Sequence, residues 1–98
     1  MTLDDFRTSL QQSMPPQITP LLQALWLDAR SDWEGAHRLA QDVDTADGAW
    51  VHAYLHRREG DQGNARYWYR RAGRPEAVDA LSSEWERLVR HLLAAAEG

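Results

Sequence analysis

Ninety-eight residues, 43% hydrophobic and 27% charged, are expected to make one domain that buries about two thirds of its unfolded surface. The absence of cysteine excludes a disulfide framework, thiolate metal ligands and a cysteine nucleophile, and the absence of lysine removes Schiff-base and phosphate-loop lysines. The formal charge of −4 is unevenly spread: Arg57 to Arg74 holds six arginines against Glu59 and Asp61, while Asp28 to Asp47 holds six acids against Arg30 and Arg38. No apolar run approaches the roughly 18 residues of a membrane span, and the opening MTLDDFRTSL is too acidic and polar for a signal peptide. A cytoplasmic protein is the resulting expectation.

The first element is a short helix over about residues 2–13. Thr2 with Asp5 three residues on resembles a helix start, and Leu3, Phe6 and Leu10 recur at helical spacing until Pro15-Pro16. Thr19-Pro20 opens a second helix with the stripe Leu21, Leu22, Leu25, Trp26 and Ala29. Ser31-Asp32 ends it and caps a third, carrying Trp33, Ala36, Leu39, Ala40 and Val43. After a loop from Asp44 to Gly48, a fourth helix runs from about Ala49 to Glu59, where Gly60 is a natural left-handed stop. Asp61 caps a fifth, with Ala65, Trp68, Tyr69 and Ala72 inward and Gly73 closing it. Pro75 opens the last segment, to about residue 96, with Ala77, Val78, Leu81, Trp85, Leu88 and Leu92 on one stripe. Period-two alternation of β-branched residues is absent, so the fold class is all-α.

An offset of 29 lays Ala24 on Ala53, Asp32 on Asp61 and Ala36 on Ala65, each copy being a helix, a turn ending in aspartate and a second helix. Small side chains at matched positions let antiparallel helices approach closely. With Gly60-Asp61 followed by Ala65, Tyr69 and Ala72, and Pro75 near the closing position, the layout resembles the tetratricopeptide-like (TPR-like) superfamily of helix–turn–helix repeats. The first copy carries Ser31 where that family has a turn glycine. The resemblance implies a stack of hairpins, at about residues 20–44 and 48–73, capped by the terminal helices. It also implies a groove lined by Trp50, Tyr54, Arg57 and Arg58, with Leu21, Leu25 and Asp28 from the preceding copy. Arginine's planar fork beside aromatic faces suits carboxylate or phosphate. The expected function is a non-catalytic binding or scaffold module for an anionic or acidic-terminated ligand, either a protein or peptide or a small molecule. Core burial of Trp50 and Tyr54, with the arginines paired to Asp28, Asp32 or Glu59, is the competing structural reading.

His52, His56 and Glu59 stand at spacings of four and three, on one helical face, as metal ligands require. The zinc-protease motif is absent, because Ala53 follows His52. A hydrogen-bonded buried histidine pair is the expectation. A small-molecule or metal-assisted enzyme centred on these residues is the alternative function, and no cofactor is implied. His37 and His91 are expected at the surface. The run Asn64 to Arg71 interleaves arginine and aromatics, but helical spacing turns Trp68 and Tyr69 inward, and net negative charge disfavours nucleic acid. The last helix is expected to cap the stack, with a homodimer seam as its other use.

Overall fold

The computed structural model describes residues 1–97. Among them every regular element is an α-helix: α1 (Leu3–Ser9), α2 (Pro20–Ala29), α3 (Trp33–Gln41), α4 (Ala46–Glu59), α5 (Gln62–Ala72) and α6 (Leu81–Glu97). Helices α2 and α3 form one antiparallel hairpin and α4 and α5 a second. The hairpins meet through α3 against α4 and α2 against α4, and α6 packs across α2 and α4 with α1 at its side.

The repeated sequence signal has a physical counterpart in the turns. Asp32 N–H donates to the Leu27 carbonyl at 2.9 Å, and 29 residues later Asp61 N–H donates to the His56 carbonyl at 2.9 Å. The Asp32 side chain then caps α3 through Gly35 N–H (3.0 Å), as Asp61 caps α5 through Asn64 N–H (3.2 Å). The matched alanines 24, 53, 36 and 65 are all fully buried, where larger side chains would force the helices apart. Left-handed backbone stands at both turns, with φ of +66° at Ser31 and +91° at Gly60. A side chain in that region is strained, whereas glycine is not. Ser31→Gly is therefore expected to raise stability by about 0.5–1 kcal/mol in a urea titration, because relieved strain exceeds the added freedom of the unfolded chain.

Helix boundaries differ from expectation where distant contacts decide them. Helix α4 begins three residues early, at Ala46, because the Thr45 hydroxyl accepts from Gly48 N–H at 3.0 Å. Gly48 cannot carry a side chain: a Cβ there would lie 2.0 Å from the Val43 carbonyl oxygen. Helix α1 stops at Ser9, and that serine is buried, bridging the Phe6 carbonyl (2.6 Å) and the Trp26 indole N–H (3.1 Å). Pro75 does not open a helix. Residues 74–80 run outside regular structure and α6 starts at Leu81, so Val78 is exposed rather than part of the stripe. This connector must travel from the end of α5 to the start of α6, and Arg57 holds it by donating to the Asp79 carbonyl.

The core centres on α4, whose residues from Gly48 to His56 are all buried. Neighbours on every side explain why this helix lacks the one-sided apolar pattern of a surface helix. No helix among the described residues is long and apolar enough to cross a membrane.

Candidate functional site

The surface formed by α2 and α4 carries the residues singled out for a groove, and α6 lies over it. Its N-terminal turn inserts Glu84, a fully buried carboxylate. Oε1 accepts from Arg57 Nη1 at 2.8 Å, while Oε2 accepts from the Trp50 indole N–H at 3.1 Å and the Tyr69 hydroxyl at 2.6 Å. Burial, followed by the hydrogen bond to Glu84, pushes the Tyr69 phenol well above its ordinary range. Trp50 is only 3% exposed, with the Arg74 guanidinium 3.6 Å from the centre of its ring. Trp50 and Arg57 thus already hold an acidic group supplied by the chain itself.

Of the other groove residues, Leu21 and Leu25 are buried in the core, and the remaining three form a different environment. Asp28 is 1% exposed, and its Oδ2 accepts from the Tyr54 hydroxyl at 2.9 Å. Its Oδ1 pairs with Arg58 Nε at 2.9 Å, an ion pair whose angle falls outside hydrogen-bonding geometry. Burial raises the Asp28 carboxyl, against the opposing pull of the Tyr54 hydrogen bond and the Arg58 charge. Burial and the Asp28 charge also push the Tyr54 phenol upward. These groups line a cavity of about 480 Å³, completed by Arg7 from α1 and by Trp85 and Glu86 from α6. The Trp85 indole donates to the Leu25 carbonyl at 3.1 Å, fixing the aromatic wall, and Arg7 pairs with Glu86 at the rim.

On the opposite side of α4, His52 and His56 meet a third imidazole. His37, expected at the surface, is half-buried, and its Nε2 lies 2.8 Å from His52 Nε2, one ring donating to the other. Glu59 pairs with His56 instead of joining His52: Nδ1 to Oε1 is 2.6 Å. Trp33 stacks on His37 at 4.8 Å and Trp68 on His52 at 3.9 Å. His91, also expected at the surface, is half-buried and pairs with Asp47 at 2.9 Å.

Burial first, then the neighbouring His37 and His56, pushes His52 down to about 4. The folded protein therefore keeps this ring neutral where the unfolded chain takes up a proton. Its contribution is present above about pH 6.5 and is lost as pH falls toward about 4. In chelator-treated protein, folding stability is expected to decline over that interval by about 3 kcal/mol from this group. His52→Gln should flatten the decline measured by urea titration at successive pH values.

The exposed arginine strip is partly internal. Arg71 donates to the Tyr67 hydroxyl at 3.2 Å and lies 3.9 Å from Asp44, and Arg66 pairs with Glu76 at 3.4 Å. Sequence reasoning missed Glu84 and His37. Glu84 was findable as a lone carboxylate among Leu81, Trp85 and Leu88 at helical spacing. His37 follows Trp33 and precedes Ala40 on the inward side of α3 in the same way. No protein-family model matches the chain, nor does any curated protein or solved structure.

Proposed function

We propose that this chain is a non-catalytic, TPR-like binding module that recognises an acidic-terminated peptide or a small anionic ligand. The recognition site is the cavity between Asp28, Tyr54, Arg58 and α6. One observation carries the reading: the buried Asp28 carboxylate and the Arg58 guanidinium paired with it line one cavity, with Arg7 a second arginine in its wall. A ligand that offers a carboxylate to the Arg58 fork and an adjacent N–H to the Asp28 carboxylate complements both charges. A peptide's C-terminal carboxylate and its last amide have this arrangement. An anion lacking the donor meets the Asp28 charge instead, so the same residue supplies selectivity.

Trp50 and Arg57, expected in the same groove, are on this reading structural: they hold Glu84 and so fix α6 as one wall of the cavity. The test is calorimetric titration with acetylated tripeptides, each as free carboxylate and as amide. Free carboxylates are expected to bind, and Arg58→Ala to weaken them at least tenfold, since a charge-assisted hydrogen bond is worth about 1.5–3 kcal/mol. Equal binding by the amidated peptides, or by Arg58→Ala protein whose circular dichroism is unchanged, refutes the reading.

A further inference from the structure

We infer that His37, His52 and His56 form a binding site for a transition-metal ion, best fitted by zinc. On α4, His52 and His56 each stand two positions from Tyr54, about 200° around the helix axis, so this site is separate from the peptide cavity. One ring nitrogen of each of the three histidines lies within 4.8 Å of the other two. The rings converge: His52 and His56 stack at 4.8 Å, and His37 stands edge-on to both, at 4.5 Å and 5.3 Å. Two ligands one helical turn apart on α4 and a third from α3 make a chelate that needs no large rearrangement.

The surroundings resemble those that orient metal-bound imidazole. Glu59 occupies His56 Nδ1, which leaves Nε2 for the ion, and a carboxylate on the far nitrogen both fixes the ring and strengthens it as a donor. Trp33 holds the plane of His37 and is itself anchored through its indole N–H to the Leu55 carbonyl at 2.7 Å. Trp68 holds the plane of His52. Three neutral nitrogen donors without thiolate suit zinc, nickel or copper(II) rather than calcium or magnesium.

Binding needs a change of tautomer and no net loss of a proton. The ring that carries the proton in the His37 Nε2–His52 Nε2 hydrogen bond moves it to its own Nδ1 by way of solvent, so that both rings stay neutral and both Nε2 lone pairs turn to the metal. The two nitrogens must open from 2.8 Å to about 3.3 Å, as bonds of about 2.0–2.1 Å at a tetrahedral ion require. The ion would pin α3 to α4, the contact between the two hairpins, and so stabilise their packing.

The test uses tag-free protein stripped with chelator and titrated with zinc, and separately with cobalt(II). One equivalent of zinc is expected to bind and raise the melting temperature. His37→Gln should weaken binding at least tenfold, and Glu59→Gln by roughly tenfold or more. His91→Gln, which alters the one histidine outside the cluster, should leave it unchanged. His37 is the least buried ligand, so its variant is the one best able to fold. Wild-type cobalt spectra provide a readout independent of any variant, with the strong visible bands of four-coordinate cobalt expected. An aquo-cobalt spectrum, no stoichiometric zinc, or undiminished affinity in folded His37→Gln protein overturns the site.

Discussion

Replacing Glu84 with alanine is expected to destabilise the protein by about 4 kcal/mol, a large fraction of the roughly 5–15 kcal/mol typical of a domain. The size follows from what the substitution leaves behind. Arg57, its side chain 13% exposed, loses its buried partner, and the Trp50 N–H and Tyr69 O–H lose their common acceptor. Stranding a buried charge costs more than the pair contributes when intact, because desolvation of the arginine is no longer offset. In a thermal melt the loss corresponds to a drop of roughly 20 °C for a chain of this length. Glu84→Gln keeps one oxygen acceptor but faces an amide N–H toward a donor, so its loss should be smaller and still clear. The Arg57→Ala/Glu84→Ala double variant should lose less than the two single variants combined, since the second removal strands no charge. A loss under about 1 kcal/mol for Glu84→Ala would mean that α6 is not clasped through this carboxylate.

Trp85→Ala is expected to cost about 3–5 kcal/mol by creating a cavity between α6, α2 and α1. The indole is 9% exposed, its ring lies 5.7 Å from that of Phe6, and its N–H satisfies the Leu25 carbonyl. Trp85→Phe retains much of the packing and gives up the hydrogen bond, so a loss of about 1–2 kcal/mol is expected from a urea titration. The aromatic wall of the proposed binding cavity disappears with the alanine variant as well. Peptide affinity should therefore fall even at temperatures where that variant is fully folded. Unchanged affinity in the folded variant would remove Trp85 from the recognition surface.

Both substitutions act at the junction between the last helix and the two hairpins, and that junction was the part least legible in the sequence. What could be read was local. Aspartates 32 and 61, Gly60 and Gly73 mark turns through their own backbone chemistry, and alanines 24, 36, 53 and 65 mark close approaches through their size. Long-range pairing has no such local sign. The groove expected to be open is covered by α6, and the acidic partner sought for Arg57 and Trp50 is Glu84 of the same chain. Pro75 is a good first residue for a helix by its fixed φ, yet the connector stays irregular to Ala80 because it must span α5 to α6.

The candidate residues separate for the same reason. Trp50, Tyr54, Arg57 and Arg58 share one helix, but they divide between two partners across the fold. Trp50 and Arg57 share Glu84, whereas Tyr54 and Arg58 share Asp28. His52 and His56 could be placed on one face by spacing alone. Their meeting with His37 depends on how α3 packs against α4, as does the turning of Glu59 to His56 rather than to a common centre.

The binding cavity is tested most directly by nuclear magnetic resonance of isotope-labelled protein titrated with an acetylated tripeptide ending in a free carboxylate. Saturable shifts are expected at the Arg58 and Arg7 guanidinium signals and the Trp85 indole, with the Trp50 indole and Arg57 unmoved and no response to the amidated peptide. No shift at millimolar peptide, or shifts centred on Trp50 and Arg57, would contradict it.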